Sequence, residues 1–487
     1  MDSRSFPAAL WGQSWDSIVN EEGSCQQGLV AFDKDYGISL EIPFGQILES
    51  PGVLVHGREK LPDRLDWLYG FAQDGTWLAL ADVIHSSSTS TTPGGPKQSL
   101  RAHKLFFSNG RFNPSAKVAC VRIGINGLGE WIGSFPMLEK MEHSDGGKLL
   151  SWGCDVDLRP ETQNINLFEN DMRSVKLVTA FSSRYGLETG AVFDLRRFVV
   201  VDFKMAVAVG DAEELIFQLI DFFSFCFGLH AEIASIDYSL EETGTKVGCL
   251  MPLVNGSSKQ RPRNPNMPFP YSRIKDDIGR LLGNWLDFPG DLRESVSLTS
   301  SLMFKEWKLP LDLKFIAASQ LLELLSKHDT DLRALSVADY KRRCDGIKEA
   351  VKGVVDDASY EWLCHRLDGN SKGQKKLLQE LCEKHACVVS AIVADAGEFI
   401  KLHIAARNRH THLSGNKSSA VTAKQLYLHT EIVLLLCYCF ILECAGLKPE
   451  RILECIECSN FKRMQKYQAG ELYGAKSMKA AQQESGE

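Results

Sequence analysis

No uninterrupted apolar run in the 487-residue chain reaches the roughly eighteen residues that span a bilayer. The longest, Ile432 to Leu442, stops at Glu443 and reads as a buried helix, so no membrane partner is expected. A positive excess is missing too. The formal charge of −7 excludes a protein that coats nucleic acid non-specifically. No acidic cluster has the spacing of a Mg²⁺ site, and no signal-like segment opens the chain. Gly124-Ile-Asn-Gly127-Leu-Gly129 has the wrong glycine order for a dinucleotide fingerprint and leads into Glu130-Trp131 rather than a helix, so it reads as a turn. Fourteen cysteines are present without a disulfide framework. Cys437, Cys439 and Cys444 share one apolar helix, and Cys226 sits in a hydrophobic run, as reduced thiols of a cytoplasmic protein would. Cys455-Ile-Glu-Cys458 has zinc-knuckle spacing, but no second pair follows, so neither metal nor cofactor is expected.

What is present is an ordinary globular composition, 44% apolar and 24% charged, in a chain too long for one hydrophobic core. Charge is unevenly spread: residues 310 to 470 hold 23 Lys and Arg against 20 Asp and Glu, leaving the rest at −10. The first half reads as strands. Gly28 to Phe32, Ile38 to Ile42, Val53 to Val55, Trp77 to Leu80, Lys104 to Phe107, Val118 to Ile123, Ser174 to Val178 and Arg197 to Phe203 are separated by turn formers. The Ser/Thr/Pro/Gly run from Ser86 to Pro96 reads as a mobile loop. A helix over Ala212 to Leu229 follows, then strands over Ala234 to Tyr238 and Lys246 to Met251.

Gly256 to Pro268, with three prolines and three positive charges, marks the strongest boundary. Beyond it helices are expected at 271–285, 311–328, 336–353, 357–367, 373–408 (with a break near Cys382 to Ala386) and 423–445. The chain is therefore read as α+β, a β-rich half followed by a helical bundle. The divisions are 1–268, a helical connector at 269–309, a helical domain at 310–470 and a polar tail at 471–487.

One stretch carries most of the chemistry. Arg407-Asn408-Arg409-His410-Thr411-His412 ends an apolar helical pattern. Arginine grips a phosphodiester with a planar fork of donors, histidine moves protons near neutral pH, and an amide holds the group in register. Those types suggest RNA cleavage without a metal, with the 2′-hydroxyl as nucleophile. On an unbroken helix, residues five apart are turned by about 140°, so Arg407 and His412 converge only if the helix ends between them. Thr411, Ser414, Gly415 and Asn416 are cap and turn formers that would end it. His403 and His410 share the Arg407 face if it continues. His412 is ranked first for proton transfer and His410 second. The alternative is a solvated turn with Arg407 paired to Glu398 or Asp395, in a helical adaptor that binds RNA or a partner without cutting it. Asp356-Asp357 reads as a charge pair at a helix N-terminus, and Lys341-Arg-Arg343 as a solvated basic face.

Arg407-Asn408-Arg409-His410-Thr411-His412 resembles the Arg-Asn-x-x-x-His signature of the HEPN ribonucleases. Phe315 to His328 resembles the opening helix of the Apea-type HEPN domain, with Glu323 at its acidic position, and Glu443 to Leu447 matches the close of the final helix. Gly28 to Phe32, Gly37 to Leu40 and Leu128 to Trp131 resemble the N-terminal domain usually fused to it. The resemblance implies an endoribonuclease of abortive-infection, antiphage defence. Arg407, Asn408 and His412 would be catalytic and Glu323 would support Arg407. It implies a homodimer or higher homo-oligomer with both motifs in one composite cleft, RNA (transfer RNA by family likeness) as substrate, and an N-terminal domain that senses a phage component or restrains the nuclease. His410 stands at a variable position of the signature.

Overall fold

The computed structural model describes residues 3–19, 25–33, 36–48, 64–91, 95–133, 137–144, 147–156, 164–186, 190–251, 266–305, 309–329, 332–367, 369–393, 395–412 and 422–459. Two compact units divide the chain, Met1–Leu286 and Asp287–Glu487.

Alternation of apolar and polar residues makes strands of β2 (Gln26–Asp33) and β3 (Gly37–Ile42), in which every second side chain is buried. With β1 (Ser3–Gly12), β4 (Arg64–Phe71), β5 (Trp77–Thr91) and β6 (Gly95–Ala102) they close an antiparallel barrel in the order β5–β4–β1–β2–β3–β6–β5. Its interior is filled by Trp11, Val30, Leu40, Leu68, Leu80 and Leu100, all at most 1% exposed. Trp11 lies flat over Gly70, where an added Cβ would stand 2.7 Å from the indole, so that position tolerates no side chain. One polar group enters this core. Gln98 is fully buried, its Oε1 accepting from the Ile47 and Leu48 N–H groups and its Nε2 donating to the Leu48 carbonyl. That side chain thereby satisfies a stretch of backbone that no strand pairs.

β5 serves two neighbours. Trp77–Ala81 pairs with β7 (Lys104–Ser108), and Ile84–Thr91 pairs with β6. Between the two stretches Asp82 takes φ 54°, the left-handed region, and its carboxylate pairs with Arg64. The sheet then continues from β7 through β15 (Lys246–Leu250), β14 (Ile233–Leu240), β8 (Val118–Ile125), β13 (Gly190–Val207) and β12 (Arg173–Gly186) to β11 (Asn164–Glu169). β9 (Met137–His143) and β10 (Leu149–Val156) form a separate hairpin.

Helices cover the extended sheet. α1 (Trp15–Val19) packs on β1 and β4, α2 (Leu128–Ile132) follows β8, and α3 (Val209–Phe227) lies across β8. α4 (Tyr271–Ile274) and α5 (Ile278–Leu286) complete the unit. Buried indoles find acceptors, as Trp131 donates to the Phe269 carbonyl (2.7 Å) and Trp285 to that of Gln218 (3.0 Å).

The second unit is helical among its described residues: α6 (Gly290–Phe304), α7 (Leu311–Asp329), α8 (Val337–Val351), α9 (Asp357–Arg366), α10 (Gln374–Lys384), α11 (Ala386–Ile392), α12 (Ala396–His412), α13 (Ala423–Cys444) and α14 (Pro449–Glu457). α13 is apolar on every side because it is the core, packed by α6, α7, α11 and α14. By length and composition it could cross a membrane, yet 83% of its most apolar window is buried inside the protein. Lys314 of α7 and Glu431 of α13 form a 2.6 Å ion pair at its flank.

The α+β reading agrees with this architecture, but particular elements differ. Within Ser86 to Pro96, expected as a loop, the described residues are paired strand: β5 runs to Thr91 and β6 begins at Gly95. Serine and threonine resemble loop composition, yet β6 supplies the ladder that keeps them extended. Leu128–Ile132 is a short helix rather than a plain turn, entered and left through Gly127 (φ 96°) and Gly133 (φ 70°). The long helix expected over 373–408 is three, interrupted at His385 and again at Val393. Val53 to Val55, most of Gly256 to Pro268 and the tail at 471–487 lie outside the described residues.

Candidate functional site

Phe399, His403, Ala406 and His410 recur along α12 at steps of four, three and four, the spacing of one helical face. That face packs on α7. Phe315, fully buried, stands edge-on to His403 (5.9 Å) and to His410 (5.5 Å), and with Ala406 and Leu426 forms a small apolar cluster. The packing carries the helix one turn further than its polar sequence suggests. α12 runs unbroken through His412, so the expected stop between Arg407 and His412 does not occur. Positions 407 and 412 therefore lie about 140° apart around one axis. Of Thr411 and His412 the backbone alone is described.

Arg407 is half-buried, and its Nη2 reaches the Glu323 Oε2 of α7 at 3.4 Å, the outer edge of hydrogen-bond distance. The other carboxylate oxygen, Oε1, pairs with Lys327 at 2.9 Å. One carboxylate thus stands between two cations, and the trio keeps a net charge of +1 at a partly open surface. Such a surface attracts an anion while the carboxylate restrains the guanidinium. The alternative pairing of Arg407 with Glu398 or Asp395 does not form: Glu398 pairs with Lys401, and Asp395 accepts from the Glu398 N–H. Asn408 and Arg409 are exposed beside it.

His410 is 20% exposed, with Nδ1 3.6 Å from the Asp312 carboxylate. The Phe315 ring packs against the imidazole, and the exposed Asp312 carboxylate stands near it beyond hydrogen-bond distance. His403 has a different fate. It is fully buried, and its Nδ1 stands 3.1 Å from Nε2 of His429, also fully buried, between Phe315 and Phe399. Burial, helped by the Arg407 charge, lowers His403 to about 4. Burial and the His403 neighbour push His429 well below the ordinary histidine value. Both are neutral at pH 7 and have no path to a substrate. His403 supports the site from beneath, by joining α12 to α13.

The sequence pattern identified Glu323, Arg407, Asn408, His410 and His403, and the fold brings the Glu323 and Arg407 side chains together. Phe315, Asp312 and His429 were missed as parts of the site. A histidine interrupting the apolar face of α13 was the one available signal for His429. Cys455 is buried on α14, whereas Cys458 is exposed at its C-terminal end, so the two thiols do not share an environment.

A family model described as ApeA N-terminal domain 1 matches residues 15–285, more than half of the chain. A second, described as Apea-like HEPN, matches residues 316–451 and takes in Glu323, Arg407, Asn408, His410 and His412. No curated protein and no solved structure matches the chain. A barrel-containing β-rich unit matched by the first model, and a helical unit matched by the second, place the chain in the ApeA-type HEPN family, whose HEPN domain is of the nuclease type found in defence proteins.

Proposed function

We propose that the helical unit is a metal-independent endoribonuclease of abortive-infection defence in the bacterial cytoplasm. The observation that carries this reading is the Arg407–Glu323 pair, a restrained guanidinium at a partly open surface with the motif amide exposed next to it. In the proposed reaction the RNA 2′-hydroxyl oxygen attacks the adjacent phosphorus and gives up its proton to an imidazole. The bond from phosphorus to the 5′-oxygen breaks, and a protonated imidazole supplies the proton to that leaving oxygen. The products are a 2′,3′-cyclic phosphate and a 5′-hydroxyl. Arg407 balances charge building on the non-bridging oxygens, Asn408 holds the phosphate in register, and Glu323 orients Arg407. DNA lacks the nucleophile and is spared.

His412 is the leading proton-transfer group, from the resemblance of Arg407 to His412 to the Arg-Asn-x-x-x-His signature. The continuous helix sets position 412 about 140° from position 407 around its axis, which favours a cleft built by two copies, the guanidinium of one working with the imidazole of the other. A second reading assigns the proton to His410, favoured by its place on the Arg407 face and by Asp312 behind it. RNA is the proposed substrate, with transfer RNA as the first to try, and the β-rich unit is proposed to sense a phage component or restrain the nuclease.

Incubation of the full chain with bulk transfer RNA in EDTA tests the reading. Cleavage to 5′-hydroxyl ends is expected, falling at least a hundredfold in Arg407→Ala and in His412→Ala, in line with loss of one charge-stabilising or acid–base group. Loss in His410→Ala instead of His412→Ala selects the second reading. Undiminished cleavage in all three removes both.

A further inference from the structure

Between Leu332 and Lys372 the helical unit carries a hairpin that contributes almost nothing to its core. The hairpin is tied at its base: the Leu335 N–H donates to Asn370 Oδ1, Asn370 Nδ2 donates back to the Leu335 carbonyl, and the Lys372 N–H donates to the Leu332 carbonyl. Beyond that neck come α8 and α9, each with a side-chain N-cap, Ser336 and Asp356. Across both helices only Cys344 is buried. Helices of 15 and 10 residues are marginal alone, so caps and neck hold this arm rather than a core. Its apolar residues face water, Val354 at 77% and Trp362 at 60% exposure, with Val337 and Ile347 also exposed.

The charge of the arm indicates what covers it. Residues 332 to 372 hold eight Lys and Arg against seven Asp and Glu, so it is the placement of the charges, not their sum, that marks the surface. Lys341, Lys348 and Lys352 fall within about 40° of one another around α8, a stripe roughly 16 Å long. None of them, nor Arg343, has a carboxylate partner among the described residues. Of the acids, Asp356 caps α9 by accepting from the Ser359 N–H and hydroxyl, Asp357 lies in the same first turn, Glu349 stands on the adjoining flank of α8, and Asp345, one turn from Lys341, borders the stripe. On α9 the Arg366 guanidinium sits over the Trp362 ring, 5.6 Å from its centroid, an exposed aromatic and cation of the kind on which unpaired bases stack. The arm springs from the end of α7, six residues past Glu323, about 9 Å along that helix.

We propose that this arm grips the RNA that the nuclease cuts, Lys341, Lys348 and Lys352 following the phosphates and Trp362 with Arg366 stacking an unpaired base. The proposal rests on the ribonuclease reading for the identity of its ligand, and it is tested by binding rather than by cleavage. Full-length protein carrying Arg407→Ala is titrated into labelled bulk transfer RNA over a range of salt. Reversal of all three lysines (Lys341→Glu, Lys348→Glu, Lys352→Glu) is expected to weaken binding more than tenfold and to lower the salt slope by about two to three. Trp362→Ala is expected to weaken it about fivefold or more at an unchanged slope, and the triple Lys→Arg variant is expected to bind as the parent. Parental affinity in both the reversed and the Trp362→Ala proteins overturns the proposal. So does a loss of self-association, seen by light scattering, with RNA binding intact, which would assign the arm to a second copy of the chain. Wild-type protein that cuts no RNA while arm variants still lose it would sink the nuclease reading and leave the arm's contact standing.

Discussion

His403 and His429 meet in the interior of the helical unit, packed against the rings of Phe315 and Phe399. Their cost appears in acid. His403 stays neutral in the fold down to about pH 4, whereas in the unfolded chain an imidazole takes a proton near 6.5. Between those values the unfolded state binds the extra proton, so stability fully present above pH 6.5 is lost as pH falls toward 4. At about 1.4 kcal/mol per pH unit, His403 alone accounts for on the order of 3 kcal/mol, and His429 acts in the same direction. Amides of α12 and α13 should exchange faster at pH 5 than at pH 7 once intrinsic rates are corrected, and His403→Leu should flatten that difference. Equal protection at both pH values would contradict a buried neutral pair. Arg407 and Glu323 were legible at this scale because their types and spacing carry chemistry. His429 was not, because a pairing across 26 residues is decided by packing rather than by pattern.

Among the elements, α12 and α13 show where local signals suffice and where they fail. α13 begins where a capping box places it. Thr422 Oγ1 accepts from the Gln425 N–H (3.2 Å), and Gln425 Oε1 accepts in return from the Thr422 N–H (3.0 Å). Its expected span, 423–445, differs from Ala423–Cys444 by one residue. Thr422→Ala should cost about 1 kcal/mol, a fall of roughly 0.5 M in the urea midpoint of the helical transition followed by circular dichroism. No change would show the cap to be idle. α12 ran past its polar end because Phe315 of another helix packs on Ala406 and His410. The break at His385 was foreseen near Cys382 to Ala386, and there the ring stacks on Phe440 (4.3 Å) and meets Glu443 at 3.1 Å. The break at Val393 has no such marker. In the β-rich unit, alternating apolar residues announced β2, β3 and β8, while the serine-rich half of β5 was hidden by a composition that turns share.

For the whole molecule, the geometry of α12 makes a prediction about pairs of chains. If the guanidinium of one copy works with the imidazole of another, Arg407→Ala and His412→Ala proteins, each inactive alone, should recover activity when co-expressed and assembled together. A mixed dimer keeps one intact pairing of two, so about half the wild-type rate per mixed dimer is the expected ceiling. Mixed assemblies as inactive as their parents would place both groups in one chain. Such pairing left no trace in the sequence beyond the motif, since a surface that meets its own copy looks like any other helix face.

Closure of the barrel has a consequence for what can attach to the β-rich unit. Because β5 bonds to β4, β6 and β7, the large sheet wraps back on itself at one end, while at the other the outer side of β11 has no strand partner among the described residues. An incoming peptide that docks there as an added strand has its direction set by β11, the one neighbour it would meet.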